Sequence, residues 1–373
     1  MSVLPISDLA LLRRAALIGA LSGIPLLAAA ATPQSTTPAT TAKPMTQPAS
    51  KPMAKPDAQM TAVLAELAKL GGKPIEGLTP AEARKQPTPT DAVKALLTAQ
   101  GKPTAPEAVG KVEDRTFEGA GGPLPLRIYT PAGKSPFPVV LYLHGGGWVI
   151  ADLDTYDASP RALANAAKAV VVSAHYRQGP EHKFPAAHDD AFAAYQWVLK
   201  NAASIGGDPK RIAVVGESAG GNLAANVAIM ARDKGLTQPL RQVLIYPIAD
   251  DDMNAPSYQE NANAKPLSKP MMQWFAKHSF SSMAQAADPR VSLVDQPNLK
   301  GVAPATIISA QIDPLRSDGE RYAAALKKAG VSVNRVNYDG VTHEFFGMSA
   351  VVDKAKAAQK VVADDLKQAF GGK

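Results

Sequence analysis

Between Lys111 and the C-terminus, short uninterrupted runs of apolar residues alternate with longer stretches in which apolar residues recur every three or four positions. The short runs are typical of strands buried on both faces of a sheet, and the longer period is typical of amphipathic helices. This alternation predicts an α/β fold, with a mostly parallel central sheet and helices on both faces. The predicted buried strands are 138–143, 169–174, 211–215, 241–246, 305–310 and 331–338, and the predicted helices are 157–167, 186–203, 219–232 and 319–329.

The segments before this alternation have other patterns. Residues 112–118 and 124–129 flank a turn that contains Gly and Pro, which predicts an antiparallel pair of strands that opens the sheet. Nearer the N-terminus, apolar residues at helical spacing predict two helices, over 60–70 and 91–100.

Residues 1–31 have the pattern of a secretory signal peptide. Arg13 and Arg14 precede an uncharged apolar stretch, and Ala29 and Ala31 have the A-x-A spacing of a cleavage site. A buried helix and a membrane anchor are the alternatives, but the stretch is shorter than the ~20 residues that span a bilayer. We therefore expect an exported chain, periplasmic or secreted, without a stable membrane span. The paired arginines leave both the Sec and the twin-arginine routes open.

Residues 32–58 are rich in Pro, Thr, Ala, Lys and Gln and have few large apolar side chains. Such a segment cannot bury enough apolar surface to offset the conformational entropy that it would lose on ordering. A disordered linker is therefore predicted, followed by a helical region over 59–110 and a main domain over 111–373.

The 373-residue chain contains no cysteine, which excludes disulfides, thiolate nucleophiles and Cys-ligated metal sites. Its 46% hydrophobic and 20% charged residues are ordinary for a globular protein. A formal net charge of +7 raises nucleic acid as a partner, but the basic residues are scattered and lack interleaved aromatic residues. Nucleic-acid binding is therefore not expected.

Ser218 lies in a G-x-S-x-G sequence, residues 216–220, between a predicted strand and a predicted helix. In this context the sequence is the pattern of a nucleophile elbow, a sharp turn that exposes the serine hydroxyl. Glycines on both sides of the serine leave room for such a turn. The alternative is an ordinary Gly-rich turn in which the serine caps the helix.

A second glycine-rich loop has the sequence HGGGW at 144–148 and also follows a predicted strand. Acyl transfer places negative charge on the former carbonyl oxygen, and glycines let backbone NH groups approach that oxygen. We predict the amides of Gly145, Gly146 and Ala219 as oxyanion donors, and a structural role for His144. The glycine patterns of phosphate-binding loops, GxxxxGK[ST] and GxGxxG, do not occur in this sequence.

A serine nucleophile needs a base, and in a fold with this elbow the chain order is Ser, acid, His. Of the two histidines after Ser218, His343 lies in a predicted loop, 339–343, after the last strand. His278 lies among aromatic and Met residues in a predicted helix outside the sheet. Asp313 follows the preceding strand. Because reactive groups of such sheets gather at the carboxyl ends of the strands, we predict that Ser218 is the nucleophile, His343 the base and Asp313 the orienting acid.

These motifs resemble those of the bacterial hormone-sensitive-lipase-like family of α/β-hydrolase esterases. The resemblance runs from Lys111 to the C-terminus and rests on HGGGW at 144–148, Tyr176-Arg177, PEHKFPAAHDD at 180–190, GDPKRIAVVGESAGGNLA at 207–224, DPL at 313–315 and His343. It implies an α/β-hydrolase fold and a carboxylesterase that acts on short- or medium-chain acyl esters. The chain departs from the usual family sequence at His175 and at Gln178-Gly179, outside the predicted triad.

The resemblance also implies a helical cap, built from the N-terminal helices of 59–110 and from an insertion at about 248–303. That insertion is longer than one αβ connection with its helix requires. Its Met and aromatic residues either line an acyl pocket or join the cap helices to the body of the domain. These residues are Met271, Met272, Trp274, Phe275, Phe280 and Met283.

The expected partner is a small-molecule ester, hydrolysed through an acyl-enzyme intermediate, and this chemistry requires no metal or cofactor. A deacetylase or an amidase uses the same groups, and a non-catalytic ligand-binding relative is a further alternative. The sequence leaves the oligomeric state open.

Overall fold

A computed structural model describes residues 52–371, and within them it contains eight strands and ten α-helices. The predicted signal peptide, 1–31, and the predicted linker as far as residue 51 lie outside the described residues. The strands are β1 (Lys111–Gly119), β2 (Gly122–Thr130), β3 (Phe137–Leu143), β4 (Val170–Ala174), β5 (Gly207–Glu217), β6 (Gln242–Ile245), β7 (Ala305–Ile312) and β8 (Val333–Thr342).

The helices are α1 (Ala58–Lys69), α2 (Pro80–Ala83), α3 (Pro89–Ala99), α4 (Ala158–Ala167), α5 (Ala186–Asn201), α6 (Ala219–Asp233), α7 (Pro256–Glu260), α8 (Lys269–Ser279), α9 (Arg316–Lys328) and α10 (Asp353–Ala369). Short 3₁₀ turns occur between several of them. Within residues 52–371, none of the helices combines the length and the apolar character needed to cross a membrane.

The strands form one sheet in the order β1-β2-β4-β3-β5-β6-β7-β8. β2 pairs antiparallel with both β1 and β4, and all pairs from β4 to β8 are parallel. The predicted α/β fold, the opening antiparallel pair and the six later strands are thereby confirmed. The predicted burial of the last strand is wrong, because β8 lies at the edge of the sheet and most of its residues are partly or fully exposed.

The core occupies both faces of the sheet because successive side chains of a strand point to opposite faces. On β3, Val139 and Leu141 pack in the hydrophobic layer that contains α5, α6 and α9. Val140 and Tyr142 pack in the opposite layer, which contains α1, α3, α4 and α10. All four side chains are fully buried, which explains why the strand sequence is apolar without interruption.

β8 is longer than the sequence predicts. The residues predicted to form a loop, 339–343, mostly belong to the strand, which continues to Thr342 and pairs there with Ile312. The register shifts just before Ile312, and Gly340 adopts a φ of +70°, which residues with a side chain rarely adopt. This irregularity accommodates the Asp-Gly sequence, so His343 follows the end of the strand directly.

The folded part of the described chain begins at Asp57. The carboxylate of Asp57 accepts a 2.9 Å hydrogen bond from the Met60 amide, which caps α1, and pairs with Lys354 Nζ of α10 at 2.7 Å. The Asp57 amide donates to the Gly340 carbonyl of β8 at 2.8 Å. The predicted linker extends to residue 58 and therefore includes two residues of the folded part. These are Asp57, which caps α1, and Ala58, the first residue of α1.

Met60 provides a test of how α1 docks on the sheet. Its side chain is fully buried, and its sulfur accepts a 3.4 Å hydrogen bond from the Thr342 hydroxyl. We expect Met60→Ala to lower the free energy of unfolding by about 2–5 kcal/mol, the usual cost of truncating a buried methionine. Met53→Ala, at a methionine that is 44% exposed, should change it by less than about 0.5 kcal/mol. Equal effects of the two substitutions in denaturant-induced unfolding would contradict this docking.

Candidate active site

Ser218 stands at a sharp turn between β5, which ends at Glu217, and α6, which begins at Ala219. Its φ of 56° and ψ of −119° lie outside the regions that residues with a side chain favour. A Cβ atom at Gly216 would collide with the carbonyl of Gly220, so the turn requires glycine there. The turn places the serine hydroxyl at the carboxyl end of the sheet.

The three residues predicted as a triad come together where β5, β7 and β8 end. His343 Nε2 lies 3.0 Å from Ser218 Oγ, and His343 Nδ1 lies 2.8 Å from Asp313 Oδ2. The other carboxylate oxygen of Asp313 accepts a 2.9 Å hydrogen bond from the Leu315 amide, which fixes the acid. His278 is not part of this series; it lies on α8 against the ring of a tryptophan.

The surroundings of His343 favour its protonated form. Burial opposes a charged imidazolium, but Asp313 attracts it and accepts its hydrogen bond, and Glu344 adds to the attraction. The net effect raises the pKa of His343 above its ordinary value of 6.5. The imidazole is therefore a stronger base than an isolated histidine, provided that the pH is high enough to keep it neutral.

The glycine-rich loop after β3 borders the serine. Gly146 and Gly147, with φ values of +96° and +58°, line the cavity in front of Ser218. No hydrogen bond between residues 52 and 371 uses the amide NH of either glycine. Gly145 does not line the cavity, and its carbonyl accepts a 3.0 Å hydrogen bond from a buried tyrosine hydroxyl. The third predicted donor is the amide of Ala219, which is the first residue of α6 and directly follows Ser218.

Two carboxyl groups beside the triad were not predicted from the sequence, Glu217, which is buried, and Glu344, which is partly exposed. Glu217 accepts hydrogen bonds from the hydroxyls of Tyr142, at 2.5 Å, and Tyr246. Burial, together with repulsion by Glu344, raises the pKa of Glu217 to about 7. The signal in the sequence is an acidic residue at the end of an apolar strand, but the tyrosines that bind it are distant along the chain.

Glu344, the second of these groups, follows His343 and has a left-handed backbone conformation with a φ of +70°. Its Oε1 atom accepts a 2.6 Å hydrogen bond from Tyr156 Oη and lies 3.7 Å from His343 Nε2. Burial raises the pKa of Glu344, and the neighbouring His343 opposes this rise. The side chain is 21% exposed and lines the cavity, so a bound substrate can reach it.

The positions at which the chain departs from the usual family sequence make specific contacts. His175 Nδ1 lies 3.0 Å from Nε2 of His144, and Gln178 Nε2 donates to the carbonyls of Ile150 and Ala151 at 2.8 and 2.9 Å. Burial and the adjacent His175 ring lower the pKa of His144 to about 3. A neutral, buried His144 and the Gln178 amide thus hold the region around the glycine-rich loop in place.

A cavity of about 660 Å³ opens in front of Ser218. Apolar side chains from α1, from α3 and from the segment between β6 and β7 form much of its wall. These side chains include Leu64, Leu67, Val93, Ile248, Met271, Met272 and Phe275.

The Met and aromatic residues predicted either to line a pocket or to join helices are divided between the two roles. Met271, Met272 and Phe275 line the cavity. Trp274 instead donates from its indole Nε1 to the Leu78 carbonyl at 3.0 Å and thereby joins α8 to the N-terminal segment. The remaining two lie outside the cavity wall, Phe280 buried and Met283 58% exposed.

Hydrolysis through a serine requires a base within reach of the hydroxyl, a group that orients the base, and amides that can face an oxyanion. The site supplies all of these at the edge of the sheet where α/β proteins place their reactive groups. The fold and the site together define the class of protein as a serine hydrolase of the α/β-hydrolase type.

Comparisons with known proteins narrow this class. The family described as having the alpha/beta hydrolase fold matches residues 140–347. The carboxylesterase NlhH of Mycobacterium tuberculosis is 41% identical over 254 residues, which cover 66% of this chain and 79% of NlhH. The ethyl acetate hydrolase of Pseudomonas putida is 35% identical over 311 residues, 82% of this chain and 96% of that protein.

Solved structures agree with the sequence relatives. The hyperthermophilic esterase of the archaeon Pyrobaculum calidifontis superposes with a TM-score of 0.76 and is 36% identical, with 85% of this chain and 99% of that chain covered. The chain belongs to the hormone-sensitive-lipase-like family of α/β-hydrolase esterases. It is a serine carboxylesterase.

The raised pKa of His343 predicts how activity depends on pH. A general base must be neutral, so kcat/KM should fall as the pH decreases through the pKa of His343. Because that pKa lies above 6.5, the midpoint of the fall should also lie above 6.5. The measurement is kcat/KM for p-nitrophenyl butyrate across the pH range. A rate that stays constant from about pH 5 to 8 would contradict a histidine base with this pKa.

Proposed function

We propose that Ser218, His343 and Asp313 carry out ester hydrolysis in two steps. In the first, Ser218 Oγ attacks the ester carbonyl carbon while His343 Nε2 takes the hydroxyl proton. His343 then gives that proton to the alcohol oxygen as the carbon–oxygen bond of the ester breaks, and the acyl group remains on Ser218. The observation that carries this proposal is the continuous hydrogen-bonded series from Ser218 through His343 to Asp313.

The second step returns the enzyme to its starting state. Water enters in place of the alcohol, His343 Nε2 takes one of its protons, and the water oxygen attacks the acyl carbon. The bond from that carbon to Ser218 Oγ breaks, and the proton passes from His343 to Oγ as the carboxylic acid leaves. Asp313 stays ionised throughout and stabilises the imidazolium that forms in each step.

We assign the stabilisation of the oxyanion to the amides of Gly146, Gly147 and Ala219. No hydrogen bond among residues 52–371 uses the NH group of any of the three glycines, but Gly146 and Gly147 line the cavity, whereas Gly145 packs against Tyr156 and the Glu217 carbonyl. In this assignment Gly147 takes the place of Gly145, which the sequence had predicted as a donor. Preorganised amides are effective there because they need no reorientation when the charge develops.

The proposed substrates are esters with short or medium acyl chains. The apolar wall of the cavity suits an alkyl chain, and a volume of about 660 Å³ lies within the usual range for small-molecule sites. Similarity to a protein named ethyl acetate hydrolase supports a preference for short chains.

The nucleophile is tested with Ser218→Ala on a series of p-nitrophenyl esters from acetate to palmitate. Wild-type enzyme should hydrolyse butyrate and hexanoate faster than palmitate. The variant should lose roughly 10⁶-fold in kcat on every ester, because loss of a triad member removes covalent catalysis. Its circular dichroism and unfolding should remain those of the wild type.

His343→Ala should lose activity to a similar extent, and His278→Ala is the matched control that should retain it. More than a few per cent of activity in Ser218→Ala, or loss of activity in His278→Ala, would refute the assignment.

We also propose that the enzyme is exported, on the strength of the pattern at residues 1–31. Expression of the full chain in a Gram-negative bacterium should give a mature protein in the periplasm or medium whose N-terminus is Thr32. Replacing Arg13 and Arg14 by lysines should block export by the twin-arginine route and leave Sec export intact. Recovery of the uncleaved chain in the cytosol alone would contradict export.

A further inference from the structure

The cavity contains a carboxylate whose hydrogen-bonding capacity the protein does not fill. Both oxygens of Glu217 are taken by tyrosine hydroxyls. Glu344 differs, because Tyr156 donates to its Oε1 atom and no group among residues 52–371 donates to Oε2. Since Glu344 lines the cavity, Oε2 can accept a hydrogen bond from a bound molecule.

The backbone at Glu344 adds a second, independent observation. Its φ of +70° is a conformation that glycine adopts freely and that costs energy for any residue with a Cβ. Local stability alone would therefore favour glycine at this position. Strain of this kind concentrates at functional sites, where the side chain has a use that offsets its cost.

The position of Glu344 identifies the part of the substrate that it meets. In the proposed mechanism His343 Nε2 donates a proton to the alcohol oxygen, so this oxygen lies within hydrogen-bond distance of Nε2. The Oε1 atom of Glu344 lies 3.7 Å from the same nitrogen. Atoms one or two carbons beyond the ester oxygen are thus within reach of the Glu344 carboxylate.

No lysine or arginine among residues 52–371 forms an ion pair with Glu344, whose one charged neighbour within 4 Å is His343. Lys73 and Lys265 line the cavity with exposed side chains, and Arg84 is paired with Glu181 at 2.7 Å. His343 favours the ionised form of Glu344, most strongly while it is itself protonated and the leaving oxygen lies beside it.

We propose that Glu344 determines specificity for the alcohol part of the ester. Its carboxylate favours alcohols that carry a hydroxyl or an ammonium group one or two carbons beyond the ester oxygen, through a charge-assisted hydrogen bond. It disfavours alcohols that carry a carboxylate at that position, through repulsion. The inference rests on the proposed function, because it uses the proton transfer from His343 to locate the alcohol.

Three butyrate esters with the same acyl group test this: ethyl butyrate, 2-hydroxyethyl butyrate and butyryloxyacetate. In Glu344→Gly the ratio of kcat/KM for the hydroxyethyl ester to that for the ethyl ester should fall about tenfold relative to wild type. In both Glu344→Gly and Glu344→Gln the ratio for butyryloxyacetate to ethyl butyrate should rise about tenfold. The control is Glu118→Gln, which removes one negative charge from an exposed residue of β1 and should leave both ratios unchanged.

The ratios separate specificity from a structural role. If Glu344 only positioned His343 or Tyr156, its replacement would slow all three esters alike. Shifts below threefold in every ratio would therefore overturn the inference. If the glycine variant does not fold, the butyryloxyacetate ratio of Glu344→Gln decides. Failure of wild-type enzyme to hydrolyse ethyl butyrate would instead refute the proposed function itself.

Discussion

The strained turn at Ser218 is the constraint on which the rest of the site depends. Its φ and ψ are held from two sides: the Ser218 amide donates to the Ile245 carbonyl of β6 at 2.9 Å, and Gly220 packs on the end of β3. A Cβ atom at Gly220 would collide with the Leu143 carbonyl, so only glycine lets α6 approach so closely. Because the glycine-rich loop begins directly after Leu143, the same contact places that loop beside the serine.

Contacts from a segment distant in the sequence hold the chain that follows the glycine-rich loop. Arg84, at the end of α2, donates from Nε to the Val149 carbonyl at 2.9 Å and from Nη2 to the Gly179 carbonyl at 2.8 Å. Its guanidinium also pairs with Glu181. The N-terminal segment is thus joined to the chain just after the glycine-rich loop, so the shape of the cavity and the position of the loop amides depend on each other.

Patterns that act over a few residues could be predicted from the sequence, and contacts between distant residues could not. Strands β3 to β7 were predictable because burial on both faces requires continuous apolar residues. Ser218, Asp313 and His343 could be placed because each follows the end of a predicted strand. The extension of β8 was missed because an Asp-Gly pair normally ends a strand. The contact between Glu344 and Tyr156 could not be predicted because the two residues are 188 positions apart.

For the same reason, the sequence could not show which of the three glycines at 145–147 line the cavity. Three successive glycines are equivalent in a sequence, and only the fold shows that Gly145 packs against Tyr156 and the Glu217 carbonyl while Gly146 and Gly147 line the cavity. The residues that distinguish Gly145 from its neighbours lie elsewhere in the sequence, so the local glycine pattern contains no sign of them.

Covalent labelling of the nucleophile tests the central claim most directly. An alkyl p-nitrophenyl phosphonate should react once per chain, release one equivalent of p-nitrophenol, and leave its phosphonyl group on Oγ of Ser218. Peptide mapping by mass spectrometry should find the added mass on the peptide that contains Ser218, in step with the loss of activity. Loss of activity with the added mass on another residue would contradict the account.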